Sequence, residues 1–377
     1  MASIDKRIRD GQVTWLARWR DPAGRQRKRT FPRKADAERF LTTVEHSVLT
    51  GSYVDPGRSR VTVGDWSVQW LDGQVQLTPS TRARYASVLR RQVLPRWGSV
   101  PLARVSHADV AAWVAALSAS GLSPRTVHKA HRVLSLVLDL AVRDRRIAVN
   151  PASGVHLPRS PQGHRRFLTP QQVADLAAAC GRDSLVVYVL AYCGLRFGEL
   201  AALRVRDVDL LRRRLTVARS VTDVDGHLVF GDPKTHQCRQ VPVPRFLVEA
   251  LAAACAGRGP DELVFTSPAG GVLRNNNWRR RAFNPAAIRV GLDGLTPHEL
   301  RHTAASLAVS AGANVKAVQR MLGHASAAMT LDVYSGLFGD DLDVVAERLD
   351  ALAAEVLVPP VCPEPSIVAL RDRRTGS

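Results

Sequence analysis

Residues 194–200 read Gly194-Leu195-Arg196-Phe197-Gly198-Glu199-Leu200 and directly follow the longest uninterrupted apolar run of the chain, Leu185 to Cys193. The apolar run is too short to cross a bilayer. Arg196 and Glu199 are three residues apart, so on a helix they share one face and the carboxylate can orient the guanidinium. Taken alone, this pair is more simply explained as a structural ion pair, and its meaning depends on the segments that follow.

A predicted turn between two strand candidates contains Asp232-Pro233-Lys234-Thr235. Lysine is rare in this chain, which has six lysines among its 53 basic residues. Arginine keeps its proton near neutral pH, whereas lysine can release one if its pKa is depressed. The lysine at position 234 therefore points to proton transfer.

A helix N-terminus is predicted at Thr296, because Thr296 and Glu299 have the spacing of a capping box. This start places His298 and Arg301 one helical turn apart at the positive end of the helix, a place suited to an anion. His298 alone is also explained as a cap residue.

A second histidine, His324, follows Gly323 at the predicted end of another helix. Tyr334, one of five tyrosines, lies on the next segment. Alone, this tyrosine is also explained as a core aromatic with a satisfied hydroxyl.

The order of these groups resembles the tyrosine recombinase (phage integrase) family. In that family, residues 194–200 correspond to the motif GLRxGEL, residues 298–303 to HxLRHT and residues 322–324 to LGH ahead of the tyrosine. Gly336 is one departure, because many relatives have a histidine two residues past the tyrosine. This departure concerns none of the residues to which a chemical role is assigned below.

The resemblance implies a site-specific DNA recombinase that forms a 3′-phosphotyrosyl intermediate, with no ATP, cofactor or metal ion. Two arginines would supply the positive charge that Mg²⁺ supplies elsewhere. The implied roles are nucleophile for Tyr334, phosphate binding for Arg196, Arg301 and His324, general acid for Lys234, proton transfer at the tyrosine for His298, and positioning of Arg196 for Glu199. His302 is left outside this set as a supporting residue.

Composition agrees with a nucleic-acid partner. The chain has 377 residues, a formal net charge of +19 and 45% hydrophobic residues. A globular protein this basic most often binds a polyanion, although the excess of arginine over lysine can also reflect a GC-rich genome. The absence of a long apolar run or an apolar N-terminus predicts no membrane association, and the scattered cysteines argue against a disulfide framework and a zinc site. We expect a cytoplasmic, nucleoid-associated protein.

The expected fold is multidomain and mainly α, with small β elements. The resemblance implies an N-terminal three-stranded sheet plus helix, a helical core-binding domain and an α-rich mixed catalytic domain. The expected boundaries are 1–60 for an arm-type DNA-binding domain, 61–152 for the core-binding domain, 153–166 for a linker, 167–340 for the catalytic domain and 341–377 for a C-terminal helix and tail. Apolar residues at 3-4-3-4 spacing between 342 and 356 form a seam that needs a partner helix.

Two basic surfaces are candidates for DNA contact. A predicted hairpin crowds cations opposite Trp15 and Trp19, and a β-ribbon of this kind can enter a DNA groove. A long helix after Ser123-Pro124 has further cations beside its apolar stripe, where they could contact phosphates. The alternative for both is a solvated basic face, with the tryptophans packed on a helix. The candidate residues are Arg25, Arg27, Lys28, Arg29, Arg125, Lys129 and Arg132.

The family resemblance also implies partners. These are double-stranded DNA with core-type and arm-type attachment sites, a homotetramer on that DNA, and a host DNA-bending protein or directionality factor where one is needed. Two rival functions remain open: a non-enzymatic DNA-binding protein on an integrase scaffold, and a type IB topoisomerase. A chromosome-dimer resolvase fits less well, since such proteins usually lack an arm-binding domain.

Overall fold

The computed structural model describes residues 2–9, 12–22, 24–50, 53–55, 57–160, 166–233, 238–328, 331, 346–347, 349–351 and 353. They group into two compact units, Met1–His164 with Thr222–Val229, and Arg165–Val221 with Phe230–Ser377. The predictions for Lys234 and Tyr334 lie outside the described residues, as does most of the apolar seam at 342–356.

The first unit begins with a three-stranded antiparallel sheet and one helix, as expected. Its elements are β1 (Ser3–Arg9), β2 (Gln12–Arg20), β3 (Gln26–Phe31) and α1 (Lys34–Leu49). Trp19 is buried between the sheet and α1. Its ring centroid lies 5.1 Å from that of Phe40, and its indole N–H donates to the Tyr53 hydroxyl at 3.0 Å. The plainer explanation, packing on the helix, therefore holds for this tryptophan.

The rest of the first unit is helical. Its helices are α2 (Val63–Asp72), α3 (Pro79–Val88), α4 (Leu94–Trp97), α5 (His107–Ala119) and α6 (Pro124–Arg143). The predicted helix after Ser123 is confirmed, because the Ser123 hydroxyl accepts a hydrogen bond from a backbone N–H in the first turn of α6. Ser106 caps α5 in the same way. The predicted apolar stripe of α6 is confirmed as well by the burial of Val127, Ala130, Leu134, Val137, Leu138 and Ala141.

The second unit combines eight helices with a small three-stranded sheet among its described residues, while most of a two-stranded sheet, Thr222–Val229, groups with the first unit. The helices are α7 (Pro170–Ala179), α8 (Ser184–Cys193), α9 (Phe197–Leu200), α10 (Val248–Cys255), α11 (Asn275–Trp278), α12 (Asn284–Arg289), α13 (Pro297–Ser310) and α14 (Val315–Leu322). The strands are β4 (Val208–Asp209), β5 (Arg214–Val217), β6 (Ser220–Val224), β7 (His227–Gly231) and β8 (Arg239–Pro242). The sheet orders are β4-β5-β8 and β6-β7.

The centre of the second unit is α8, which packs against α7 and α13. Most of the apolar run at 185–193 is buried there, which explains why a stretch of this composition is a core helix. Within the described ranges, no helix is both long and apolar enough to span a membrane. Thr169 starts α7 with a capping box, formed by reciprocal hydrogen bonds with Gln172.

Candidate active site

Two glycines end the helices that lead into the site. Gly194 follows α8 with φ +66°, and Gly323 follows α14 with φ +64°, in the left-handed region that favours glycine. A Cβ on Gly194 would lie 2.8 Å from Cδ2 of Leu322, and a Cβ on Gly323 would lie 2.8 Å from Cδ of Arg239. Both glycines are therefore required by space as well as by backbone conformation.

Arg301 ties the two helix ends together. It lies on α13 and is buried, and its Nη1 and Nη2 donate hydrogen bonds to the carbonyls of Gly194 and Leu322. The predicted start of α13 is confirmed, because the backbone N–H of Thr296 donates to Oε2 of Glu299 at 2.7 Å. A guanidinium has five N–H donors in a rigid plane, so these two carbonyls fix its orientation.

Arg196 and Glu199 are in contact, but not on one helix face as expected. Arg196 is extended (φ −70°, ψ 149°) and immediately precedes α9, so it caps the helix that contains Glu199. Its backbone N–H donates to Oε2 and its Nη1 to Oε1 of Glu199, both at 2.8 Å. Gly198 lies between them, and a Cβ there would be 2.5 Å from the Val221 carbonyl oxygen.

A second arginine, Arg239, binds the same carboxylate and was missed by the sequence analysis. Its Nη1 and Nη2 donate to Oε1 and Oε2 of Glu199 at 3.0 and 2.6 Å, and its Nε donates to the Met321 carbonyl at 3.0 Å. A signal existed: alternation along β8 places Arg239 on the same face as the buried Val241. An arginine on the buried face of a strand needs a partner.

The surrounding charges shift two pKa values. Burial alone would raise the pKa of Glu199, but the hydrogen bonds and charges of Arg239 and Arg196 outweigh it, and the net pKa is lowered. Burial, followed by the positive charges of Arg301 and Arg196, lowers the pKa of His324 to about 4. His324 is therefore neutral at pH 7, with one ring N–H to donate.

The site thus brings together Arg196, Arg301 and His324, and Glu199 accepts hydrogen bonds from Arg196. His298 is exposed on α13, and its ring lies 4.8 Å from that of His302 one turn further along. The roles assigned to these residues stay predictions at this point. Among the described residues, no group of His, Cys, Asp or Glu side chains is arranged to hold a metal ion.

The basic candidates on α6 share one surface. Arg125, Lys129 and Arg132 are all exposed, and their spacing of four and three residues places them along one side of the helix. The buried stripe occupies the other side. Contact with DNA at this surface stays a prediction.

The basic candidates of the first sheet divide between its two faces. Arg27 and Arg29 are paired in register with Trp19 and Ala17, so they lie on the face that packs against α1. Lys28, paired with Arg18, lies on the opposite face, and Arg25 is exposed just before β3.

Both arginines on the helix side already have partners. Arg27 donates to Asp21 at 3.1 Å and is also paired with Asp55. The guanidinium of Arg29 lies 5.1 Å from the ring centroid of Phe31 and 5.0 Å from that of Phe40. Lys28 and Arg25 are therefore the better placed of the four for an outside partner.

Comparison with known proteins shows the family of the chain. The model of the phage integrase family matches residues 166–338. The integrase of Mycobacterium phage L5 is 28% identical over 340 residues, covering 86% of this chain and 90% of that protein. The tyrosine recombinase XerC of Ralstonia pickettii is 31% identical over 284 residues, covering 70% of this chain and 85% of that protein. The chain belongs to the tyrosine recombinase (phage integrase) family. Its activity is site-specific DNA recombination.

Solved structures of the family share the fold. The Tn1549 transposon integrase, in complex with a circular intermediate DNA, superposes with a TM-score of 0.65 at 23% identity, covering 78% of this chain and 99% of that one. The lambda integrase tetramer bound to a Holliday junction gives a TM-score of 0.60 at 19% identity, covering 87% and 94%. The mainly α, multidomain fold expected from the sequence is confirmed.

Proposed function

We propose that this recombinase integrates or excises a phage or mobile element by cutting and rejoining DNA through a 3′-phosphotyrosyl link on Tyr334. One observation carries the proposal: Arg196, Arg301 and His324, from three distant segments, converge around two helix ends, and Glu199 is the one buried carboxylate that the described residues place with them. Such a surplus of positive charge suits one phosphate group.

The phosphate-binding groups would act mainly in the transition state. Attack on a phosphodiester gathers negative charge on the two non-bridging oxygens, and Arg196 and Arg301 would donate to those oxygens. By analogy with an oxyanion-hole donor, each contribution is about 2.7–4 kcal/mol. His324 would donate its one ring N–H, and Glu199 would position Arg196 without reacting.

Proton transfer would fall to other residues. The Tyr334 oxygen attacks the scissile phosphorus, the bond to the 5′-oxygen breaks, and Lys234 delivers a proton to that leaving oxygen. His298, exposed at the start of α13, would assist removal of the tyrosine proton. Attack of a second strand's 5′-hydroxyl on the phosphotyrosine reverses these steps, so no ATP is consumed. We propose no metal requirement, because the arginines supply the positive charge.

Each segment of the chain would have a separate role in recombination. Residues 1–60 would bind arm-type sites, 61–152 core-type sites, and 167–340 would catalyse, with 153–166 as the linker. On DNA, four copies would assemble, since two sequential strand exchanges need four active sites, and the apolar seam at 342–356 would contact a neighbouring copy. A host DNA-bending protein or directionality factor would act where the sites require one.

DNA contacts follow from exposure and charge. On α6, we propose that Arg125, Lys129 and Arg132 contact phosphates. On the first sheet, Arg25 and Lys28 would contact DNA directly. Arg27 and Arg29 would mainly stabilise the sheet, through the acidic and aromatic side chains that they already contact.

Covalent trapping tests the reaction. Wild type, Tyr334→Phe and the matched control Tyr188→Phe are incubated in EDTA with fragmented DNA from the genome that encodes the chain, denatured in SDS, and the DNA bound to protein is sequenced. We expect adducts at one core sequence for wild type and Tyr188→Phe, and none for Tyr334→Phe. Equal recovery from all three proteins would reject Tyr334 as nucleophile, and an adduct that needs Mg²⁺ would reject metal independence.

The same DNA separates the rival functions. A recombinase yields exchanged products only when two partner duplexes are present, whereas a type IB topoisomerase relaxes a single supercoiled circle. A binding protein without activity would protect the core sequence from nuclease and form no adduct.

A further inference from the structure

The Glu199 cluster, defined as Arg196, Glu199 and Arg239, is connected to the helix end that leads into His324. Arg239 bonds both oxygens of Glu199 and also the Met321 carbonyl, in the last turn of α14. Its side chain is 8% exposed. The next residues of the chain after α14 are Gly323 and His324.

Contact with Gly323 makes this connection tight. A Cβ at that glycine would lie 2.8 Å from Cδ and 3.1 Å from Nε of Arg239, so the backbone of the turn rests directly on the arginine side chain. A planar guanidinium donating in three directions cannot rotate without breaking at least one hydrogen bond.

We propose that Arg239 is a positioning residue of the recombination reaction, which fixes Arg196 through Glu199 and His324 through the Met321–Gly323 turn. The inference rests on the proposed role of Arg196 and His324 in phosphate binding. Arg239 thus couples two phosphate-binding groups that come from different segments. Its loss misplaces both at once and lowers the rate of strand cleavage more than it weakens DNA binding.

Arg219 supplies the matched control. It lies in the same unit and also binds both oxygens of a carboxylate, donating from Nη2 alone to Asp207 at 2.9 and 2.7 Å. Neither residue has been assigned a part in catalysis or DNA binding. Arg219→Gln therefore removes a comparable ion pair and leaves the Glu199 cluster intact.

The first test is kinetic, on full-length protein and a duplex that contains the core sequence recovered by trapping. We expect Arg239→Gln to slow single-turnover adduct formation about 10- to 100-fold while the Kd for the duplex changes less than about threefold. Arg219→Gln should keep the wild-type rate at temperatures below its melting midpoint. If Arg239→Gln unfolds, Arg239→Lys keeps the charge but cannot reach Glu199 and Met321 together, and should be slowed as well. Wild-type rates for both Arg239 variants would overturn the proposal.

The second test needs no DNA and separates this inference from the proposed function. Histidine NMR titration, with His324 assigned through His324→Gln, should show the His324 pKa changed in Arg239→Lys, which keeps the positive charge that lowers it, and unchanged in Arg219→Gln. An inactive wild type with that shift would reject the proposed reaction and support the positioning role. If the wild type is active but the His324 pKa does not change and Arg239→Gln cleaves at a normal rate, the proposed reaction is supported and the positioning role is rejected.

Discussion

The second unit contains two clusters of the same construction. In the Glu199 cluster, Arg196 donates its backbone N–H to a carboxylate three residues later. In what we call the Asp207 cluster (Arg204, Asp207 and Arg219), Arg204 does the same at 3.0 Å. Both first arginines are extended at a helix start, and in both clusters a second arginine from the strand region bonds the two carboxylate oxygens.

The two clusters differ in where their positive charge is balanced. Arg196 and Arg239 share one carboxylate whose side chain is only 1% exposed. Near Asp207, the carboxylate that two arginines share is that of Asp261. It is 64% exposed and contacts both Arg204 and Arg206. The surplus charge is therefore more deeply buried in the Glu199 cluster, where Arg239 is 8% and Arg196 26% exposed, than at Arg204 and Arg206, which are 31% and 46% exposed. A buried surplus attracts an anion strongly, because water does not screen it.

Removing the shared carboxylate should have the largest effect. Glu199→Gln leaves Arg239 buried without a counter-charge, and we expect a loss of about 3–5 kcal/mol in the free energy of unfolding. Asp207→Asn should cost less, about 1–2 kcal/mol, since its partner Arg219 is 26% exposed, against 8% for Arg239. Urea denaturation of both variants measures the difference. Equal losses would mean that the greater burial of Glu199 has no energetic weight.

The first arginine of each cluster should differ in its effect on catalysis. Arg196→Ala should slow adduct formation on the trapped core duplex by about 10²–10³-fold, the cost of one lost oxyanion donor. Arg204→Ala should leave the rate near wild type, because its side chain pairs with Asp261 at the surface. Single-turnover kinetics at saturating protein checks both. A comparable loss in Arg204→Ala would show that the shared local pattern, and not the buried surplus of charge, determines activity.

The position before each carboxylate gives a third contrast, in packing. Gly198 and Arg206 occupy equivalent places, yet a Cβ at Gly198 would meet the Val221 carbonyl oxygen at 2.5 Å. Gly198→Ala should therefore destabilise the protein by about 1–3 kcal/mol, as overpacking does. Arg206→Ala should change stability by at most about 0.5 kcal/mol, as expected for a surface position. Thermal denaturation of the pair decides, and a stable Gly198→Ala would show that β6 can move away from α9.

The same comparison shows what the sequence can predict. Local spacing was enough for the Arg196–Glu199 contact, the start of α13 and the helix end at Gly323, because these depend on residues a few positions apart. The Glu199 cluster and the Asp207 cluster have the same local spacing, however. Spacing alone therefore does not tell which cluster belongs to the candidate active site and which is a structural ion pair. Arg239 joins Glu199 from 40 residues further along the chain, and that contact depends on how β8 packs against α14. The faces of the first sheet likewise followed from strand register, which places Arg27 beside Trp19.

The last contrast is a pH dependence that originates in the burial of His324 and in the positive charges of Arg301 and Arg196. The pKa of His324 is lowered to about 4 in the folded protein, against an ordinary value of 6.5. Between these values the unfolded chain binds a proton that the folded chain does not, so this contribution to stability is complete above pH 6.5 and is lost as the pH falls toward 4. His324→Gln should therefore lose less stability than wild type between pH 7 and pH 5, as measured by urea denaturation, whereas Arg206→Ala should match wild type. A phosphate bound beside His324 would favour its protonated form, so the core duplex should raise its pKa in NMR titrations. If the duplex left that pKa unchanged, His324 would not be in contact with the phosphate, and the buried positive charge would serve the fold alone.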